Sequence, residues 1–333
     1  MPTLRLVFLG SDAIALPLLE WLAGEGKTIA EVVAVFTQPD RPVGRGQKIT
    51  ANAIKTWALA RGLPVFQPEK VTEEVRQQLV ALNADVALVT AYGHILKDDF
   101  IATPRLGTLN LHTSILPKYR GASPIQTAIA NGEQETGVTL MRVVRKLDAG
   151  PLADVERVAI HDLDTALEVE AKLAAACVPM LARALPKLRA NALEFVPQND
   201  VQATFCRKLV KEDGALDFSA PASVLAARVN GLYPWPACSV EIGGQIVKIG
   251  QAVANDKVSG TVAGMVMAAD SAGLNVATGQ GTLRLLKLQR PGGKMLPTAE
   301  FLRGFPIAAG TQIYSTPMKA LVAAEPFKRF LTS

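Results

Sequence analysis

Up to residue 144, short runs of β-branched and apolar residues alternate with stretches of helical spacing, and this alternation narrows the possible folds more than any other feature of the chain. RLVFL (5–9), EVVAVF (31–36), DVALVTAYG (85–93), GTLNLH (107–112) and TGVTLMRVV (136–144) predict strands. Their nearly unbroken apolar character suits strands covered on both faces. Ile14–Ala23, Ala51–Arg61 and Thr72–Leu82 predict helices, and Thr72 followed by Glu73 and Glu74 supplies a helix start. Strands alternating with helices imply an α/β fold: a Rossmann-like open parallel sheet with helices on both faces. A long helical stretch runs from about Leu163 to Ala190, with Pro179 and Pro186 expected to bend or divide it.

The rhythm then changes. Residues 191–207 (NALEFVPQNDVQATFCR) read as a linker between a first domain at 1–190 and a second at 208–333. In the second domain, ASVLAARVNGLYPWP predicts one short helix stopped by prolines. The runs SVEI-GG-QIVKIG, SGTVAGMVMA and GLNVATGQGTLRLLKLQ predict short strands, with Gly-Gly marking a hairpin. Several short strands in that space indicate a small OB-like β-barrel, a class that often binds oligonucleotides.

A chain of 333 residues accommodates two cores. No apolar run approaches the roughly 18 residues that cross a bilayer. Asp12 interrupts the N-terminal apolar stretch, so neither a signal peptide nor membrane association is expected. Cys177, Cys206 and Cys238 are odd in number and lack CxxC spacing, which suits a reducing cytoplasm and small buried hydrophobes and offers no disulfide framework or metal site. Charge is asymmetric. From residue 201 on, 14 Lys and Arg face 8 Asp and Glu; before it, 21 face 22. An excess of positive charge confined to one part of the chain favours a polyanionic partner.

The turn after the first strand, GSDAIALP, has one glycine where a dinucleotide fingerprint needs three, and the second strand ends in Phe36-Thr37-Gln38 with no acid for a ribose. A nicotinamide enzyme is therefore disfavoured. The informative segment is LGTLNLHTSILPKYRGASPIQTAI (106–129). Asn110 and His112 are two apart on a strand, so they share a face, close to the end where open α/β sheets place their sites. An amide donor beside an imidazole suits attack of an amine on a carbonyl: the amide can hold the oxyanion and the imidazole can move protons near neutral pH. The same two residues also suit a hydrogen-bonded core pair. Of the other histidines, His161 reads as surface and His94 as a neighbour of the pocket. Asp148, in the loop RKLDAGPL (145–152), can orient the imidazole or support its protonated form, although an Asp before Ala-Gly-Pro is also an ordinary turn residue.

NLHTSILPKYRGASPIQ followed by GVTLMRVVRKLDAGP resembles the signature of the 10-formyltetrahydrofolate-dependent formyltransferases. The resemblance implies that Asn110, His112 and Asp148 are catalytic, that Ser114, Ile115, Leu116 and Pro117 form the folate-contacting turn, and that 10-formyltetrahydrofolate is the co-substrate, with no metal. TQPDRPVGRGQK (37–48), GLPVFQPEKV (62–71) and the C-terminal KLVKEDGALDFS…NGLYPWPACSVEIGGQIVKIG are similar to the branch of that family acting on initiator methionyl-tRNA, with Phe218 where that branch carries Trp. That branch implies a monomer contacting tRNA, here through Arg41, Arg45 and Lys48 in the loop and through basic residues of the barrel, Arg284, Lys287 and Arg290. Two other readings remain open: a formyltransferase for sugar nucleotides or purine precursors, and a non-catalytic RNA-binding protein on an α/β scaffold.

Overall fold

The computed structural model describes residues 2–43, 46–256 and 260–327. The elements of its first half are β1 (Leu4–Gly10), α1 (Leu16–Ala23), β2 (Ala30–Phe36), β3 (Arg41–Val43), β4 (Lys48–Thr50), α2 (Ala53–Leu59), β5 (Val65–Phe66), α3 (Glu73–Ala81), β6 (Val86–Thr90), α4 (Asp98–Ile101) and β7 (Thr108–His112). They are followed by β8 (Arg120–Gly121), α5 (Pro124–Ala130), β9 (Glu135–Arg142), β10 (Leu152–Ala159), α6 (Ala166–Arg189) and β11 (Phe205–Cys206). The remainder comprises α7 (Ala222–Leu232), β12 (Cys238–Ile242), β13 (Gln245–Asn255), β14 (Val266–Asp270), β15 (Gly273–Ala277), β16 (Thr282–Gln289), β17 (Leu296–Pro297), α8 (Thr298–Gly304) and β18 (Val322–Ala323).

Contacts divide the chain into two units, each assembled from separated segments. One comprises Met1–Lys118, Gly137–Val158 and Ala171–Ala203; the other comprises Tyr119–Thr136, Ala159–Glu170 and Thr204–Ser333.

The first unit is built on a seven-stranded sheet in the order β10-β9-β7-β6-β1-β2-β5. β1 pairs in parallel with β2 and β6, β6 with β7, and β2 with β5. Of β1 only Arg5 is exposed, as an interior strand covered on both faces requires. On one side Val7, Leu9, Ala34, Phe36 and Ala87 pack with Val75 and Leu79 of α3 and with Phe100 of α4. β9 departs from the all-parallel expectation, since it runs antiparallel to β7. Such strands are often added at the margin of an otherwise parallel sheet. The long helix is a single element, α6, with Pro179 and Pro186 inside it. Each proline removes one hydrogen bond from the helical ladder, while the apolar side of α6 (Leu173, Cys177, Met180, Leu181, Leu185, Leu188) stays buried throughout.

In the second unit, β12, β13, β16, β15 and β14 form an antiparallel series, with β17 beside β16. Gly243 and Gly244, with φ of 57° and 73°, make the tight β12–β13 turn that the Gly-Gly predicts. Bulges in the β13–β16 register near Gln251 curl the sheet. Leu225, Val229 and Leu232 of α7 fill its concave side together with Val240, Ile249, Leu274, Leu283 and Leu285. Phe218 is fully buried in this core, where an indole would have to find a partner for its N–H. Asn230 closes α7 onto β13 by donating to the Ala252 carbonyl and accepting from the Ala252 N–H, both at 2.9 Å.

Candidate active site

Strand alternation places Asn110 and His112 on the same face of β7, as their spacing predicts. His112 is the last residue of the strand and only 6 % exposed, and Asn110 is half-buried. The antiparallel register sets His112 opposite Thr139 and Leu109 opposite Arg142 of β9. β9 therefore ends near the start of β7, yet the Asp148 carboxylate lies 3.8 Å from His112 Nδ1. For both to hold, the loop after β9 must fold back along β7 toward His112. Two backbone features let it do so. Asp148 itself adopts φ 46°, a left-handed conformation that Asp tolerates better than most residues. Gly150 lies so close to the end of β9 that a Cβ there would stand 1.8 Å from the Arg142 carbonyl. The Leu-Asp-x-Gly pattern thus encodes a reversal that carries a carboxylate onto an imidazole.

The turn after His112 is tied to the same strand. Thr139 Oγ1, fully buried, donates to the Ser114 carbonyl at 2.6 Å and accepts from the Leu116 N–H at 3.2 Å. Ser114 Oγ donates to the Lys118 carbonyl at 2.6 Å. Ser114 and Leu116 are buried, whereas Ile115 and Pro117 are only half-buried. The first pair therefore shapes the turn, and a ligand would meet the second pair and the backbone.

A further group at the strand ends is not evident from sequence. Ser11 Oγ accepts from the Gln38 N–H at 2.9 Å, Gln38 Nε2 donates to the Tyr92 carbonyl at 2.9 Å, and Asn52 Nδ2 donates to the Gln38 carbonyl at 3.1 Å. This network joins the segments leaving β1, β2 and β6. Beside it, the buried hydroxyls of Thr90 and Tyr92 have no hydrogen-bond partner among the described residues. Burial raises the pKa of the Tyr92 phenol, so it is a neutral donor. Their only signal in the sequence is position, since these residues lie at or just beyond strand C-termini. His94 is half-buried, edge-on to the Tyr92 ring, with Nε2 3.1 Å from the Pro68 carbonyl; His161 is exposed.

The basic candidates fall into separate groups. The loop 37–48 enters a short hairpin in which β3 pairs with β4, Arg41 opposite Thr50. Its base is fixed by Asp40, whose carboxylate pairs with Lys55 at 2.6 Å and accepts from Gln67 at 2.9 Å; these bonds hold its pKa below the usual carboxylate value. Arg41 is exposed and pairs with Glu69, Lys48 is exposed, and Arg45 lies outside the described residues. On β16 the buried leucines are Leu283, Leu285 and Leu288. The register pairs Ala252 with Leu285 and Gln251 with Lys287, leaving Leu286 as an inserted residue. That bulge sets Arg284 and Lys287 on the same outward face, although three positions apart on a regular strand would oppose them. Arg284 donates to Asn275 at 2.9 Å, and exposed Arg290, beyond the strand end, reaches the Gly304 carbonyl. Among the described residues no group of His, Cys, Asp and Glu could hold a metal ion, and no helix is long and apolar enough to cross a membrane.

Known proteins share this architecture. Residues 4–185 match the formyl transferase family, and residues 208–306 match the formyl transferase C-terminal domain. A methionyl-tRNA formyltransferase of Methylococcus capsulatus is 40 % identical over 306 residues, spanning 92 % of this chain and 98 % of its own. Another, from Xylella fastidiosa, is 42 % identical over 302 residues, spanning 90 % and 97 %. The chain belongs to the methionyl-tRNA formyltransferase family. Among solved structures, WlaRD, a sugar 3N-formyl transferase determined in the presence of dTDP and 5-N-formyl-THF, aligns with a TM-score of 0.64 at 17 % identity over 87 % of this chain and 98 % of its own. HypX from Aquifex aeolicus in complex with tetrahydrofolic acid aligns with a TM-score of 0.62 at 16 % identity over 95 % of this chain, which spans 49 % of HypX. At these identities the two structures speak for the fold.

Proposed function

We propose that Asn110, His112 and Asp148 carry the transfer of a formyl group from 10-formyltetrahydrofolate to the α-amino group of initiator methionyl-tRNA, the reaction that supports translation initiation. The observation that carries this reading is the folded-back loop, which sets a carboxylate 3.8 Å from an imidazole on the face that also presents an amide.

The methionyl amine attacks the formyl carbon. Asn110 Nδ2 donates to the oxyanion as it develops. His112 takes the proton that the attacking nitrogen must lose and returns it to the folate nitrogen as the old C–N bond breaks. Asp148 holds the ring and stabilises its protonated form. Ile115, Pro117 and the backbone of residues 114–117 border the folate, and the unpartnered hydroxyls of Thr90 and Tyr92 are additional donors for its polar groups. Arg41, Arg45 and Lys48 of the segment 37–48, and Arg284, Lys287 and Arg290 of the second domain, supply cationic contacts to the tRNA. The protein acts as a monomer in the cytoplasm, where its three buried thiols stay reduced.

The test is direct. Purified protein is incubated with formyl-labelled tetrahydrofolate and, in parallel, methionyl initiator tRNA, methionyl elongator tRNA, an amino-sugar nucleotide and glycinamide ribonucleotide. Label should appear on the initiator species far faster than on the others. Preferential labelling of a small acceptor would overturn the assignment of substrate.

A further inference from the structure

The loop bearing Asp148 is folded back on itself, and a loop in that position has to be held. Residues 195–200, in the segment that reads from sequence as a linker, run along it. The main chain of Val196 exchanges two hydrogen bonds with Leu152, each 2.8 Å, where β10 begins. The Arg142 guanidinium, at the end of β9, lies 4.1 Å from the centre of the Phe195 ring. Asp200 pairs with Lys146 Nζ at 2.5 Å. Both ends of the loop, and one point within it, are thus fastened to this strap.

Between these fasteners Gln198, half-buried, turns its side-chain amide onto the loop. Nε2 donates to the Asp148 carbonyl at 2.9 Å and to the Gly150 carbonyl at 2.7 Å. One planar amide nitrogen carries two hydrogens in fixed, diverging directions. Engaging carbonyls two residues apart, it fixes the peptide planes that follow Asp148 and Gly150, and so brackets the turn through Ala149. Those planes set the direction in which Asp148, at φ 46°, projects its side chain. The separation of 3.8 Å from His112 Nδ1 depends on that direction.

We propose that Gln198 is a positioning residue for catalysis, acting through Asp148: its amide clamp keeps the carboxylate aimed at His112. The inference rests on the catalytic assignment of Asp148 made above. It requires the two N–H groups. A leucine of similar volume cannot donate, and a glutamate of the same shape would press acceptor oxygens against the two carbonyls.

Four full-length variants test it: Gln198→Leu, Gln198→Glu, Asp148→Asn, and Gln198→Leu combined with Asp148→Asn. Each is assayed for kcat and KM with methionyl initiator tRNA, and its thermal midpoint is recorded. Gln198→Leu should lower kcat by about tenfold with both KM values within about twofold, the pattern for lost positioning in the transition state. Gln198→Glu should fall further, with its midpoint showing that it still folds. Because the clamp acts through the carboxylate, the double variant should have the same kcat as Asp148→Asn alone. The inference is overturned if Gln198→Leu and Gln198→Glu keep wild-type kcat, or if the double variant falls below Asp148→Asn by the full factor seen in the single. A fully active Asp148→Asn would instead remove the assignment of Asp148 itself.

Discussion

The chemistry proposed for the first unit rests on few side chains, and their substitutions separate by kind. His112→Ala would remove the proposed proton carrier and Asn110→Ala the proposed oxyanion donor, so each should lower kcat by about a hundredfold or more. Near-normal formylation by either variant would exclude its role. Gly150→Ala tests geometry with no loss of functional atoms. Its Cβ would sit 1.8 Å from the Arg142 carbonyl, so the loop must move. A loss of about 1–3 kcal/mol of stability should accompany a fall in kcat of about ten- to a hundredfold. Unchanged kcat despite lost stability would mean that loop placement does not matter to the reaction. Asn110 and His112 are legible as a pair because strand alternation is a local rule. Thr139 and Gln198 are not, because nothing near either residue states which loop it touches; their partners follow from the β7–β9 pairing and from the course of the 195–200 strap.

Whole elements show the same divide between local and distant causes. The five interior strands and the Gly-Gly hairpin are readable, since continuous apolar runs and positive-φ turns write themselves into the sequence. β10 is not: LADVERVA is half-exposed along most of its length at the margin of the sheet, so it carries no unbroken apolar run. The antiparallel sense of β9 is hidden as well, since strand direction depends on the route of the connection and leaves no mark on composition. On β16, sequence spacing cannot tell whether Arg284 and Lys287 share a face, and the bulge at Leu286 decides it. If this outward face meets the tRNA backbone, neutralising Arg284, Lys287 and Arg290 together should weaken tRNA binding. The slope of log affinity against log salt should then flatten by about 2 to 3, at roughly 0.7–0.9 for each phosphate no longer neutralised. Folate binding should not change. Equilibrium binding across a salt series measures this, and an unaltered slope would remove these residues from the interface.

Across the molecule, local periodicity shows where elements lie but not that Tyr119–Thr136 and Ala159–Glu170 belong to the same compact unit as the antiparallel sheet of β12–β16. Within that unit the Arg207–Asp213 pair is a strong candidate for an anchoring interaction. The Asp213 side chain is fully buried, and both of its oxygens are held by the Arg207 guanidinium, at 2.6 and 2.7 Å, with a third bond of 2.8 Å from the Val210 N–H. Burial alone would raise its pKa. The bonds from Arg207 and Val210, with the positive charges of Arg207 and Arg228, outweigh that effect and hold it below the usual value. A carboxyl with a depressed folded-state pKa adds stability that is fully present above its unfolded pKa, near 3.9, and is lost as pH falls through the folded value. Asp213→Asn leaves the partly buried Arg207 opposite a neutral amide; removing one partner of a fully buried pair costs about 3–5 kcal/mol, and the loss here should lie toward the lower end of that range. Urea unfolding of wild type and variant should therefore differ by a constant amount from about pH 8 down to pH 5 and converge below about pH 4, as the wild type loses its own pair. A gap under about 1 kcal/mol at neutral pH, or one that persists unchanged to about pH 3, would show that the pair does not anchor this unit.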